Sequence, residues 1–202
     1  MQYQSTPKPL LIYLHGFMSS PNSVKAKETE FYLAKRSMLV EYLVPALSDC
    51  PEQAYQQLSE LMQANQNRTV GLIGSSMGGF FASALAARFT CRAVLINPAV
   101  APQNLMQKYV GEQTNPYTNN HFTLTVNDME FLQELEVECP HPDKIMLLVQ
   151  TGDETLDYKA AVAKYAGSPQ VVEEGGDHRF QDFDKHLPSI MKFLFAPSTE
   201  PK

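Results

Sequence analysis

The chain has 202 residues, 44% apolar and 19% charged, a balance that suits a globular protein with one substantial core and argues against wholesale disorder. Its 16 Lys and Arg against 22 Asp and Glu leave a net charge of −6, which offers no electrostatic footprint for nucleic acid or an anionic membrane. No apolar run is long enough for a bilayer, and residues 1–8 lack the charged-then-apolar order of a secretion signal, so no membrane insertion and a cytoplasmic location are expected.

Taken in order, residues 10–14 (Leu-Leu-Ile-Tyr-Leu) form a short continuous apolar run ending at His15-Gly16-Phe17, the pattern of a strand buried on both faces of a parallel sheet. Ser23 is placed to cap a helix over 24–36. A second strand is expected over 38–44, stopped by Pro45, and Pro51 opens an amphipathic helix that carries Ala54, Leu58, Leu61 and Met62. Further strands are expected over 69–73, 93–98, 144–151 and 170–173, and helices over 157–165 and 183–195. Strand and helix thus alternate, which predicts an α/β fold with a mostly parallel sheet of about six strands and helices on both faces.

The interval 99–142 breaks this rhythm. It is rich in Asn, Gln and Thr and interrupted by Pro102, Gly111 and Pro116, with one helix expected over 126–135, capped by Thr125 or Asn127. We read it as an insertion of lid type within one domain covering 1–202. The tail 196–202 reads as a frayed terminus.

The chemistry concentrates in Gly71-Leu72-Ile73-Gly74-Ser75-Ser76-Met77-Gly78-Gly79. This is a G-x-S-x-G pattern with a strand before it and an Ala/Phe-rich helix after it, the context that exposes a serine hydroxyl on a strained turn beside a helix N-terminus. Ser76 is therefore the candidate nucleophile. A hydroxyl needs a base, and the base an orienting group. In an open parallel sheet such groups collect at the carboxyl ends of strands, where Thr151-Gly152-Asp153-Glu154 and Gly175-Gly176-Asp177-His178 stand. The order Ser76, Asp153, His178 is that of α/β-hydrolase triads. Glu154 is the rival acid, Asp157 is assigned to capping a helix, and His121, His141 and His186 to surface or capping roles. The N–H groups of Met77 and Phe17 are the expected oxyanion donors, with His15 holding the loop in shape and Met18 at the substrate.

The three cysteines are scattered and odd in number, and Cys139 and His141 lack a second cluster with metal-like spacing, so neither a disulfide framework nor a metal is expected. Lys25, Lys27, Lys35 and Arg36 read as a solvated helix face, with a local site for an anionic carrier as the alternative.

The stretches His15-Gly16-Phe17-Met18-Ser19-Ser20-Pro21-Asn22-Ser23 with Lys25-Ala26, the Ser76 segment, Leu95-Ile96-Asn97-Pro98-Ala99, Asn115-Pro116-Tyr117, Gln150-Thr151-Gly152-Asp153-Glu154 and Gly175-Gly176-Asp177-His178-Arg179-Phe180 together resemble the bacterial YqiA-like esterases of the α/β-hydrolase superfamily. The resemblance runs over almost the whole chain. It implies a compact α/β-hydrolase fold and a serine esterase or thioesterase that acts on a small-molecule acyl ester or thioester without a cofactor, with Ser76, Asp153 and His178 as its triad. Asp177 departs from the pattern, which has a small residue before the histidine.

Overall fold

A computed structural model describes residues 7–139 and 141–196; the secretion-signal reading of 1–8 and the expected frayed tail fall almost wholly outside them. The elements run β1 (Leu10–Leu14), α1 (Val24–Lys35), β2 (Glu41–Leu43), α2 (Pro51–Ala64), β3 (Val70–Ser75), α3 (Met77–Phe89), β4 (Arg92–Ile96), α4 (Pro102–Met106), β5 (Gly111–Thr114), β6 (His121–Leu124), α5 (Val126–Leu135), β7 (Ile145–Gln150), α6 (Tyr158–Lys164), β8 (Gln170–Glu173) and α7 (Leu187–Phe195). Six strands form one wholly parallel sheet in the order β2-β1-β3-β4-β7-β8.

The continuous apolar runs place alternate residues on opposite faces of this sheet. Leu11, Tyr13, Ile73, Val94, Ile96 and Leu148 meet Ala26 and Leu33 of α1 and Leu187, Ile190 and Leu194 of α7. Leu10, Ile12, Leu14, Leu72, Leu95 and Leu147 meet α2, α3, α5 and α6. Each large side chain so buried contributes about 1.5–3 kcal/mol of transfer free energy. Both faces are covered, which is why the central strands read as unbroken apolar runs.

Three expectations change. The second strand is only Glu41–Leu43, because its pairing with β1 is limited to Leu10, Leu11 and Ile12 at the sheet edge. Ser23 stands at the N-cap of α1 but its hydroxyl makes no capping bond. The insertion holds more order than its sequence suggested: α4, then an antiparallel hairpin of β5 and β6 with Glu112 opposite Thr123 and Gln113 opposite Phe122. Its helix α5 begins with a capping box in which the Thr125 hydroxyl accepts the Asp128 N–H and the Asp128 carboxylate accepts the Thr125 N–H.

The sheet order reverses direction between β1 and β3, since β1 leads outward to β2 and β3 leads the other way to β4. That reversal opens a crevice at the carboxyl ends of these two strands, and Leu14 lies opposite Gly74 there. The backbone of α3 approaches β1 so closely that a Cβ on Gly78 would overlap the Leu14 carbonyl oxygen. Gly78→Ala must displace backbone and not a flexible side chain, and we expect it to cost about 3 kcal/mol, read as a lower urea midpoint. An unchanged midpoint would show that β1 and α3 are not tightly joined.

Candidate active site

β3 ends at Ser75 and α3 begins at Met77, so the chain reverses within Ser76 alone. Its dihedrals, φ 57° and ψ −119°, lie where L-residues seldom go, at a cost of about 1–3 kcal/mol. The surroundings satisfy its peptide groups fully. Its N–H donates to Ile96 O at 3.0 Å, and its carbonyl accepts N–H groups from Gly79, Phe80 and Ala99 at 3.0, 3.2 and 3.1 Å. From Val70 to Ala86 every residue except Ser76 is buried. The turn therefore presents one hydroxyl to solvent and hides everything around it.

A chain of hydrogen bonds starts at that hydroxyl. Ser76 Oγ lies 3.1 Å from His178 Nε2, and His178 Nδ1 lies 2.9 and 3.0 Å from the two carboxylate oxygens of Asp153. An ionised carboxylate only accepts, so Nδ1 carries the proton and Nε2 is left to accept from the serine. The Asp153 side chain is 1% exposed and that of His178 23%. Burial opposes ionisation of Asp153 and is the largest single influence, but the imidazole and the N–H groups of Leu156 and Thr155 together outweigh it and hold the carboxyl below its usual range.

The exit of β1 lies against this serine: a Cβ built on Gly16 would stand 3.8 Å from Ser76 Oγ. Phe17 and Met77 follow the two converging strands, and among the described residues neither N–H donates to a protein acceptor. Met18, at φ 50°, lines a small recess with Phe17, Leu47, Pro51, Met77 and Phe81. His15 is buried with both ring nitrogens engaged by backbone, Nδ1–H donating to Gly16 O at 3.0 Å and Nε2 accepting the Leu47 N–H at 3.3 Å. The insertion joins this loop too. Asn115, buried at the start of the hairpin turn, donates to Ser19 O at 3.1 Å and to Asp49 at 2.7 Å, and the ring of Phe17 packs on Tyr109 and Phe122 with centroids 5.8 and 5.9 Å apart.

The family model described as uncharacterised protein family UPF0227 matches residues 10–195. The chain belongs to that family. Among curated relatives, the UPF0227 protein YcfP of Salmonella gallinarum is 24% identical over 187 residues, covering 91% of this chain and 98% of its own. The six-stranded sheet has the α/β-hydrolase fold. Est1E from Butyrivibrio proteoclasticus superposes with a TM-score of 0.73 at 16% identity, covering 96% of this chain and 89% of that one. Alpha/beta hydrolase domain-containing protein 10 from mouse gives 0.68 at 17%, with coverages of 94% and 91%.

In this UPF0227 chain the remaining candidates separate by what their side chains touch. Glu154 accepts the backbone N–H of His178 at 3.0 Å and does not meet the imidazole in a hydrogen bond. Asp157 caps α6 through the Lys159 N–H. Asp177 turns back into its own loop, accepting from Arg179 N–H and Gln181. His121 bonds Thr114 and His186 faces Glu173. Among the described residues no group of three His, Cys, Asp or Glu could hold a metal, the three cysteines are free, and no helix is long and apolar enough to cross a membrane. Lys27 pairs with Glu30, while Lys35 lies over Phe31 and Arg36, at the C-cap of α1, over Tyr32; these basic residues are engaged one by one.

Two residues of the site escaped sequence reasoning. Asn97, 2% exposed and at φ 39°, donates from Nδ2 to Asp177 O at 3.0 Å and His178 O at 3.3 Å, while its Oδ1 accepts the Gln150 N–H. Gln150, also buried, accepts from Asp177 N–H and Gln181 N–H and donates to Gln181 O. The histidine loop has no ladder of its own and takes several of its backbone partners from these two amides. Their one signal was a polar residue closing each apolar strand run.

Burial holds the His15 imidazole below its ordinary pKa of 6.5, although the Gly16 carbonyl and Asp49 pull it upward. The folded chain therefore binds fewer protons here than the unfolded chain. This stabilisation is complete above pH ~6.5 and is lost as pH falls through the lowered folded value. The urea midpoint should drop less between pH 7.5 and 5 in His15→Gln than in the wild type; equal drops would contradict the assignment.

Proposed function

We propose that this protein is a serine carboxylic-ester hydrolase working through an acyl-enzyme. The observation that carries the reading is the unbroken hydrogen-bond path from Ser76 through His178 to Asp153, starting at the one accessible residue of a strained turn. Ser76 Oγ attacks the substrate carbonyl while His178 Nε2 takes its proton. Asp153 stabilises the imidazolium, and the N–H groups of Met77 and Phe17 receive the oxyanion. His178 then returns the proton to the departing alcohol, leaving an ester on Ser76. Water, deprotonated by the same imidazole, attacks that ester and releases the acid. No cofactor is required. Phe17 and Met18 supply apolar surface beside the oxyanion donors, with Tyr109 and Phe122 of the insertion extending that wall within one domain and a small-molecule acyl ester as the partner.

The comparisons support the reading at the level of fold, since Est1E carries the same architecture and has been seen with ferulic acid bound. The proposal is tested on a p-nitrophenyl ester. Ser76→Ala should lose on the order of 10⁴-fold or more in kcat and should not label with a fluorophosphonate, whereas wild type labels stoichiometrically. A Ser76→Ala variant close to wild-type turnover would sink it. Between the two acids, Asp153→Asn should lower kcat by about 10⁴-fold and Glu154→Gln by far less. The reverse ranking would move the orienting role to Glu154.

A further inference from the structure

Resting on the reading above, we propose that Lys25 is a positioning residue for His178, tying the helix that follows the oxyanion loop to the loop that carries the histidine. Lys25 stands one residue into α1, directly after the segment that delivers Gly16 and Phe17. Its ammonium donates to the carbonyl of Arg179, the residue after His178, at 2.6 Å. That bond extends a pattern. Within 177–181 the carbonyls of Asp177 and His178 are held by Asn97 and that of Gln181 by Gln150, while the N–H of His178 is held by Glu154. Asn97 and Gln150 reach the loop from the strand ends beneath it, and Lys25 reaches it from α1.

The ammonium is also set in a field that favours this place. Glu28 on its own helix, Asp177 on the loop and Asp153 at the end of β7 attract it, Arg179 repels it, and Asp184, before α7, acts on Glu28. Burial nevertheless dominates and brings the Lys25 pKa down to about 8, with those carboxylates holding it from falling further. As pH rises through about 8 the amine loses its proton, its bond to Arg179 O loses charge assistance, and the hold on that side of the loop weakens. Arginine at this position stays charged throughout the range.

The test uses the full chain and a p-nitrophenyl ester from pH 6 to 9.5, with melting temperature recorded for each variant. Lys25→Met should lower kcat by about tenfold or more at pH 7 with KM changed less than about twofold, and Lys25→Arg should recover most of kcat. Wild type should lose kcat as pH rises through about 8, and Lys25→Arg should not. Lys25→Met at wild-type kcat, failure of Lys25→Arg to recover activity, or the same alkaline loss in Lys25→Arg as in wild type would each overturn the inference. Fluorophosphonate labelling and Ser76→Ala are run alongside. An active, unlabelled protein with Ser76→Ala unimpaired refutes the nucleophile, whereas an inactive Ser76→Ala beside an indifferent Lys25→Met refutes only the role of Lys25.

Discussion

The backbone of Ser76 is held where an unconstrained chain would not leave it, and much of the surrounding structure serves to keep it there. The strain of about 1–3 kcal/mol is offset locally, because Ile96, Gly79, Phe80 and Ala99 leave none of its peptide groups unpaired. Those partners come from β4, α3 and the exit of β4, so the turn is shaped by its neighbours as much as by its own sequence. Gly78 against Leu14 and Gly16 against Ser76 then bring β1 to the same point. Backbone packed on backbone cannot drift by a fraction of an ångström without a clash.

Around this fixed point the polar groups are arranged by burial. Asp153 is covered, fed by two backbone N–H groups and aimed at Nδ1, whereas His178 keeps partial access. The loop bearing the histidine has no regular structure, and most of its hydrogen bonds are made with side chains. An amide suits that task better than a charge. Asn97 can donate to two carbonyls and accept one N–H without being ionised, which avoids the desolvation penalty a carboxylate or ammonium would face at 2% exposure.

The central sheet was legible because strands covered on both faces need unbroken apolar runs, which lie within 10–14, 69–73, 93–98 and 144–151, whereas 170–173 forms a half-exposed edge strand with only two apolar residues. The Ser76 turn was legible from its glycines and its strand-to-helix setting, and Asp153 and His178 from their strand-end positions, where the structure places His178 within hydrogen-bond reach of both Ser76 and Asp153. The hairpin of β5 and β6 was not. Its four-residue strands alternate weakly, Glu112, Thr114, His121 and Thr123 face solvent, and a six-residue polar turn hides the pairing. Nor were Asn97 and Gln150, since a buried amide becomes a loop anchor only when residues some 80 and 30 positions away arrive beside it.

The Ser76 to His178 bond spans 102 residues of chain, and the Asn97 grip on the histidine loop spans 80. Contacts of such long sequence separation carry their closure entropy in advance and form late in folding. The strained turn, the carboxylate and the imidazole can each exist in partly formed structure without being assembled. The assembled path thus belongs to the finished molecule: a nascent or half-unfolded chain carries the same serine without the imidazole and carboxylate beside it.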